Sequence, residues 1–402
     1  MVKDLDKLFS SSAKRMRRSA IRELLKLTQK PDIISFAGGL PAPESFPVEE
    51  LKGIISEMLE KEGRMALQYG ATEGDQLLRE LLVERYRKQG LKLGLENLII
   101  TTASQQALDL LPKIFVDKGD KVICGLPSYL GALQAFVNYG ADLVGIQLDD
   151  KGMRADLLDK KLAELQRAGT MPKFIYCIPD FQNPAGITMP EERRKEIIAV
   201  AQKYDVLILE DSPYREIRFA GKSQPTIYQL ADEGRVVLLG TFSKTFAPGF
   251  RIGWVIADPQ IIDKVVMAKQ ATDLCTPPFV QRIAARYLEK GYFDKNLTGI
   301  IENYKEKRQV MIDSFKKYMP KGVTWTEPEG GLFLFLTLPE YMDAEELFKI
   351  AIEEKVAFVL GTTFFCDGTG KNTLRCNFSY MSKEKNEEGV KRLANAIKKL
   401  MK

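Results

Sequence analysis

Residues 172–214 read PKFIYCIPDFQNPAGITMPEERRKEIIAVAQKYDVLILEDSPY. Two apolar runs, Phe174–Ile178 and Val206–Leu209, flank a stretch with helical spacing, Pro190–Tyr204. The runs lack polar alternation, which is how strands buried on both faces read. Thr188 is placed to cap the helix between them. Strand, helix and strand in this order form the crossover unit of a parallel sheet. The pattern repeats on both sides. Upstream lie helical Gln76–Lys88, the run Leu98–Thr101, helical Gln105–Phe115, the run Val122–Cys124, helical Tyr129–Tyr139 and the run Leu143–Ile146. Downstream lie the runs Val236–Leu239 and Gly253–Ile256. Seven runs with helices between them predict an α/β fold with a mostly parallel seven-stranded sheet, covered by helices on both faces.

The two ends of the chain read differently. Residues 1–30 are polar and basic, with a helical patch around Ser19–Leu27, and residues 31–47, PDIISFAGGLPAPESFP, hold four prolines and two glycines. That segment is extended and turn-rich. A helical stretch, Val48–Glu62, follows it. Beyond about residue 285 a long helical stretch, Thr298–Tyr318, precedes short strands at Gly331–Leu338 and Leu374–Phe378, with helical Ala344–Glu354 between them and helical Lys385–Met401 at the end. The expected organisation is an N-terminal arm and covering segment over 1–47 that packs with the small domain, a large domain over 48–285 and a smaller α+β domain over 286–402.

Composition narrows the chemistry. The 402 residues include 59 Lys+Arg and 54 Asp+Glu, a net charge of +5 that gives no footprint for nucleic acid; the one basic cluster, Lys14, Arg15, Arg17 and Arg18, reads as a solvated helix face. There is no histidine at all. That removes Ser-His-Asp and Cys-His nucleophiles, imidazole proton shuttles and His-based zinc sites, and no metal is expected. The five cysteines, Cys124, Cys177, Cys275, Cys366 and Cys376, form no CxxC and read as reduced thiols of a cytoplasmic protein. The N-terminus lacks a signal-peptide apolar block, and no stretch approaches the ~18–20 apolar residues of a membrane span.

Polar groups collect at the carboxyl ends of the runs, where open α/β sheets bind ligands. Ser104-Gln105 opens a helix after Ile99–Thr101, Ser128-Tyr129 follows Val122–Cys124, and Asn183-Pro184 follows Ile175–Ile178. Asp211 and Tyr214 follow Leu207–Leu209, and Thr241-Phe242-Ser243-Lys244 follows Val236–Gly240. Taken singly, each has an ordinary reading as a surface charge, a cap or a core ring. Together, five loops on one rim imply a pocket. A helix N-terminus with Ser104, joined by Ser243 and Arg251, suits a phosphate. Tyr129 offers a ring face, Asp211 a fixed anion and Lys244 an amine able to form a Schiff base. A phosphate cup, a stacking ring, an acid for a pyridinium nitrogen and an amine for an aldehyde add up to pyridoxal 5'-phosphate.

The run TFSKTFAPGFRIG, 241–253, resembles the pyridoxal-lysine signature of class I/II aminotransferases, the fold-type I family; Ser243-Lys244, Pro248-Gly249, Arg251 and Gly253 match it, and Thr241 keeps the oxygen of its first hydroxyl position. Asn183 in FQNPAG, Asp211 and Tyr214 in EDSPYRE, and Arg375 in NTLRCNFS follow in family order, so the resemblance spans essentially the whole chain. Residues 19–47, LQYGATEG (67–74), TTASQQALDL (101–110) and PSYLGALQAF (127–136) resemble the 2-aminoadipate/kynurenine aminotransferase branch, with Ala103 where relatives often have glycine.

The resemblance implies a fold-type I transferase that moves amino groups between L-amino acids and 2-oxoglutarate in a ping-pong cycle, with broad range. It implies Lys244 as the residue that holds the cofactor and moves the substrate α-proton. Asp211 would face the ring nitrogen, Asn183 and Tyr214 the phenolic oxygen, and Tyr129 the ring. Ser104, Gln105, Thr241, Ser243 and Arg251 are the phosphate-side candidates. Arg375, with Asn183, would bind the substrate α-carboxylate. Tyr69 matches a tyrosine that reaches the neighbouring subunit's phosphate, which implies a homodimer with shared sites. Arg22 would bind the distal carboxylate of acidic substrates on a movable helix, with Gly38 and Gly39 permitting the swing; Leu40, Leu274 and Phe364 are candidate pocket walls. The competing expectations are another fold-type I chemistry, such as a β-lyase or decarboxylase, and a ligand-sensing regulator domain.

Overall fold

The structure, a computed structural model, describes residues 4–16, 32–231 and 234–401. The helical patch Ser19–Leu27, with Arg22, lies outside the described residues. Among them, the large sheet has eight strands in the order Leu98–Thr102, Ile252–Ile256, Val236–Thr241, Leu207–Asp211, Pro172–Cys177, Lys121–Leu126, Asp142–Asp149 and Gly152–Met153. The seven runs read from the sequence supply the first seven. The eighth is a two-residue strand that hairpins back onto Asp142–Asp149. The strands from Val236–Thr241 through Asp142–Asp149 pair in parallel, and Ile252–Ile256 runs antiparallel to both of its neighbours.

Strand periodicity explains the unbroken apolar runs. Alternate residues point to opposite faces, and here both faces are buried. Val122, Cys124, Phe174, Tyr176, Leu209 and Leu239 pack under the helices Ala103–Phe115 and Leu130–Asn138. Their neighbours Ile123, Ile175, Cys177, Ile208 and Val236 pack under Ala155–Arg167 and Glu191–Tyr204. Several helix bounds differ from expectation. Glu191–Tyr204 begins after Pro190 and has no side-chain cap; the Thr188 hydroxyl, expected to cap it, is buried without a partner. The helix Val48–Ala66 runs past a non-helical Glu62, and the long helix begins at Tyr292. Ala103–Phe115 starts two residues before the expected Gln105, and Lys383–Leu400 two before Lys385.

A second, four-stranded antiparallel sheet orders Thr324–Trp325, Phe333–Thr337, Thr373–Asn377 and Val359–Leu360. The extended proline-rich segment is clamped against it. Ile34–Ser35 pairs in parallel with Val356–Ala357, and the Asn377 amide donates to the Phe36 carbonyl at 2.9 Å. Arg375, at the middle of a central strand, therefore lies beside residues 36–39.

The first βα turn carries a backbone cost. Ala103 sits at φ 59, a left-handed conformation that penalises a Cβ. It stays there because its amide donates to the Arg251 carbonyl at 3.0 Å and because Gly253 comes close; a Cβ on Gly253 would lie 2.5 Å from the Ser104 nitrogen. Ala103→Gly should relieve the strain and raise stability by about 0.5–1 kcal/mol net of the added chain entropy. Thermal unfolding with unchanged cofactor binding checks this, and a lower melting temperature would contradict it.

Candidate active site

The turn after strand Val236–Thr241 is fixed by its own hydroxyls. Thr241 Oγ1 accepts the Ser243 amide at 3.1 Å and lies 3.0 Å from both Ser243 Oγ and the Ile252 carbonyl. Arg251, at φ 53, sets Nη1 3.5 Å from Ser243 Oγ and donates to the Pro248 carbonyl at 3.2 Å. With the Ala103–Arg251 backbone bond, these contacts place Ser243, the Arg251 guanidinium and the first turn of helix Ala103–Phe115, with Ser104, around one cradle. Exposed N–H groups, hydroxyls and a guanidinium there suit a phosphate dianion. The Gln105 side chain is spent elsewhere: it donates to the Gly131 carbonyl at 3.1 Å and accepts the Tyr129 hydroxyl at 3.2 Å, so it fixes the tyrosine loop.

Lys244 leaves this turn and donates from Nζ to the Gly39 carbonyl at 2.8 Å. Burial, helped by the charges of Arg375 and Arg251, brings its amine down to about 8. A sizeable minority of free amine is then present near neutral pH, as a nucleophile or proton carrier requires.

Asp211, at the end of strand Leu207–Asp211, is fully enclosed. Its Oδ2 accepts the Tyr176 hydroxyl at 2.8 Å, while Oδ1 is buried with no partner. Burial pushes the carboxyl up to about 7, and the Tyr176 hydrogen bond pulls it back. A buried carboxylate oxygen with nothing to accept is the complement of a cationic ring N–H. Tyr176 was not foreseen as a site residue. Its signal was its position in the adjacent run, but only the register, Tyr176 opposite Leu209, puts it within reach of Asp211.

Arg375 joins three parts of the chain. Nη1 donates to Asn183 Oδ1 at 2.9 Å, and Nη2 to the Ala37 carbonyl at 2.9 Å. The guanidinium carbon stands 4.1 Å from the Phe333 ring centroid and 5.1 Å from that of Phe364. Nε is buried with no partner, and among the described residues no carboxylate pairs with this arginine. Burial lowers its pKa to about 10. Asn183 also donates to the Tyr214 hydroxyl at 3.3 Å. The loop bearing Asn183 is braced by Arg194, which is fully buried. Arg194 donates to Asp180 Oδ1 at 2.8 Å, to the Met189 and Pro225 carbonyls at 2.9 Å, and to the Pro179 carbonyl at 3.3 Å.

Arg375, Asn183 and Tyr214 thus form one hydrogen-bonded group; Tyr214 feels the charge of Asp211, and Lys244, bonded to Gly39, feels the charges of Arg375 and of Arg251 in the cradle. Tyr69 is not brought to it within one chain: it is 79% exposed, on the loop after helix Val48–Ala66. Leu40 and Leu274 are exposed and Phe364 is buried. The orphaned Asp211 oxygen, the cradle and the half-buried amine fit pyridoxal phosphate at its ring nitrogen, phosphate and aldehyde.

Comparison with known proteins agrees. The family model for aminotransferase class I and II matches residues 32–393. The chain is 49% identical over 400 residues to aromatic-amino-acid aminotransferase 1 of Thermococcus litoralis, covering 99% of this chain and 96% of the relative. It superposes with a TM-score of 0.96 on a kynurenine aminotransferase of Pyrococcus horikoshii solved in complex with PMP, at 46% identity and with full coverage of both chains. An α-aminoadipate aminotransferase of Thermus thermophilus, complexed with N-(5'-phosphopyridoxyl)-L-leucine, gives a TM-score of 0.92 at 39% identity, with 99% of each chain covered. The chain belongs to the class I and II aminotransferase family. It has the fold-type I architecture and is a pyridoxal-phosphate-dependent aminotransferase.

Asp211 ties the site to stability. Its folded-state value lies above its unfolded one, so between them the folded, cofactor-free protein holds a proton that the unfolded chain has released. Stability of the cofactor-free protein should therefore fall as pH rises from about 4 to about 8, by up to about 4 kcal/mol for a shift of roughly three units. Asp211→Asn should flatten that slope, and Tyr176→Phe should carry the fall to higher pH. Urea unfolding across this range checks both; an unchanged slope in Asp211→Asn would contradict the assignment.

Proposed function

We propose that this aminotransferase has a broad donor range, taking 2-aminoadipate, glutamate, aromatic and branched-chain amino acids, with 2-oxoglutarate as the common acceptor. The observation that carries the reading is Arg375: a buried guanidinium that, among the described residues, has an unpartnered Nε and no carboxylate beside it. A buried cation without an anion is costly, and an α-carboxylate from the ligand offsets that cost in a planar two-point contact. Asn183, already bonded to Nη1, sets the plane of the fork. The activities for which the relatives are named, on aromatic amino acids, α-aminoadipate and kynurenine, support the range.

Pyridoxal phosphate, when bound, supplies an exchangeable aldehyde and a ring that spreads negative charge from the substrate α-carbon. Ser104, Thr241, Ser243, Arg251 and the Gln105 amide would hold its phosphate. Tyr129 would cover the ring, Asp211 would meet the ring nitrogen, and Asn183 with Tyr214 the ring oxygen. Lys244 Nζ takes the proton from the substrate α-carbon. Its bond to the Gly39 carbonyl holds the amine toward the segment that Arg375 also contacts, at Ala37. With no histidine in the chain, no imidazole competes for that transfer.

The working unit in this reading is a homodimer in which Tyr69 completes the neighbour's phosphate cradle. A group of apolar side chains left open to solvent, Met65, Leu67, Tyr69 and Leu274, between 50% and 79% exposed, supports it. Five free thiols suit a reducing compartment, and we place the enzyme in the cytoplasm.

Three experiments test this reading. A donor panel against 2-oxoglutarate should show turnover with acidic, aromatic and branched donors. Lys244→Ala should bind cofactor non-covalently and lose turnover by roughly 1,000-fold or more; substantial transamination by this variant would remove Lys244 from its role. Arg22 is assigned to the distal carboxylate. Arg22→Ala should raise KM for 2-aminoadipate, glutamate and 2-oxoglutarate by about 1.5–3 kcal/mol equivalent, with leucine unaffected in the half-reaction. Equal losses for leucine and glutamate would make Arg22 structural.

A further inference from the structure

Two thiols meet where the two sheets face each other. Cys124 lies in strand Lys121–Leu126 of the large sheet and is fully buried. Cys366 lies just after the single turn Gly361–Phe364, which leads out of the small sheet, and is partly exposed. Their sulfurs are 3.7 Å apart, with Cys124 positioned to donate to Cys366. A disulfide needs roughly 2 Å between sulfurs, so small side-chain rotations close the gap. The pair sits next to the site on both sides. The strand bearing Cys124 leads into Ser128 and Tyr129, and the Ser128 amide donates to the Phe364 carbonyl at 2.7 Å. Phe364 in turn packs against the Arg375 guanidinium.

We infer that Cys124 and Cys366 form an oxidative modification site, a reversible cross-link between the two sheets beside the substrate pocket, driven by a hydroperoxide. The exposed partner reacts first. Cys366 thiolate attacks one peroxide oxygen, the O–O bond breaks and hydroxide leaves, giving a sulfenic acid at Cys366. The sulfur of Cys124 then attacks that sulfur; the S–S bond forms, the S–OH bond breaks, and the Cys124 proton leaves with the hydroxide as water. Two thiols and one hydrogen peroxide become one disulfide and two waters, and a dithiol reductant reverses the reaction by supplying two electrons and two protons. The hydrogen bond favours this order: it holds the Cys366 thiol below its usual range, while the same bond and then burial raise Cys124, with the adjacent Asp367 carboxylate opposing the thiolate.

The link fixes the segment carrying Phe364 to the strand that places Tyr129. Relative movement of the two sheets is then restricted, and turnover falls to the extent that substrate exchange needs it. The effect on turnover rests on Arg375 and Tyr129 acting as proposed above; formation of the link does not, and is read separately.

Holoenzyme is treated with hydrogen peroxide, remaining thiols are alkylated, and an unreduced digest is read by mass spectrometry. The expected product is one linked pair of peptides joining Cys124 and Cys366, two hydrogens lighter than their sum and released by dithiothreitol. The linked enzyme should keep its cofactor absorbance and lose turnover by roughly fivefold or more. Cys366→Ser should hold its rate at the same dose. Cys124→Ala should leave Cys366 as a sulfenic acid that dimedone traps. Unmodified thiols, a sulfinate at Cys366 with no linked peptide, or linkage to Cys275 would overturn the site. A linked enzyme that turns over at the reduced rate would overturn its effect on turnover.

Discussion

A guanidinium buried among rings and carbonyls holds this molecule's working parts in relation. Arg375 stands on the small sheet, accepts its orientation from Asn183 on a rim loop of the large sheet, and reaches the Ala37 carbonyl of the proline-rich segment. Three stretches of chain far apart in sequence meet on one planar group. No lysine could do this, because a single ammonium cannot present donors in a fixed fork. Among the described residues its charge has no protein anion, which leaves a contact open for the ligand carboxylate proposed above.

The same low-dielectric interior acts in opposite directions on the two titrating groups. Burial lowers the Lys244 amine and raises the Asp211 carboxyl, and both shifts run toward neutrality. An amine that sheds its proton easily is a usable base. A carboxyl that ionises reluctantly is stabilised as an anion by a cation set against it, and its free oxygen has room for one. Tyr176 supplies the remaining bond from the adjacent strand, in a chain without histidine.

The sheet was legible because strands buried on both faces leave unbroken apolar runs, and seven of them did. The rim loops were legible because polar residues recur at the ends of those runs. Other features lay beyond a linear reading. Thr188 looks like a cap, but the chain turns at Pro190 before the helix begins. Glu62 looked like a helix end because the sequence does not show whether a departure from helical geometry is a stop or a kink. Tyr176 reads as one more apolar strand residue until the register sets it against Asp211. Gln105 reads as a cradle residue by its place in the helix, yet its amide group faces Tyr129 and Gly131.

The brace beneath the Asn183 loop constrains how this sequence can change over time. Arg194 and Asp180 are both fully enclosed; losing Asp180 strands the Arg194 charge in the interior, and losing Arg194 leaves Asp180 only its longer contacts. An exchange of both for apolar residues, often a tolerated route elsewhere, is closed as well, since three backbone carbonyls besides Asp180 take their hydrogen bonds from the same arginine. Arg215 and Arg218 also lie within 4.0 Å of Asp180, at 3.5 and 3.7 Å, so even the aspartate answers to several partners. Drift at these positions therefore has no neutral first step, although the loop lies on the rim and not in the core.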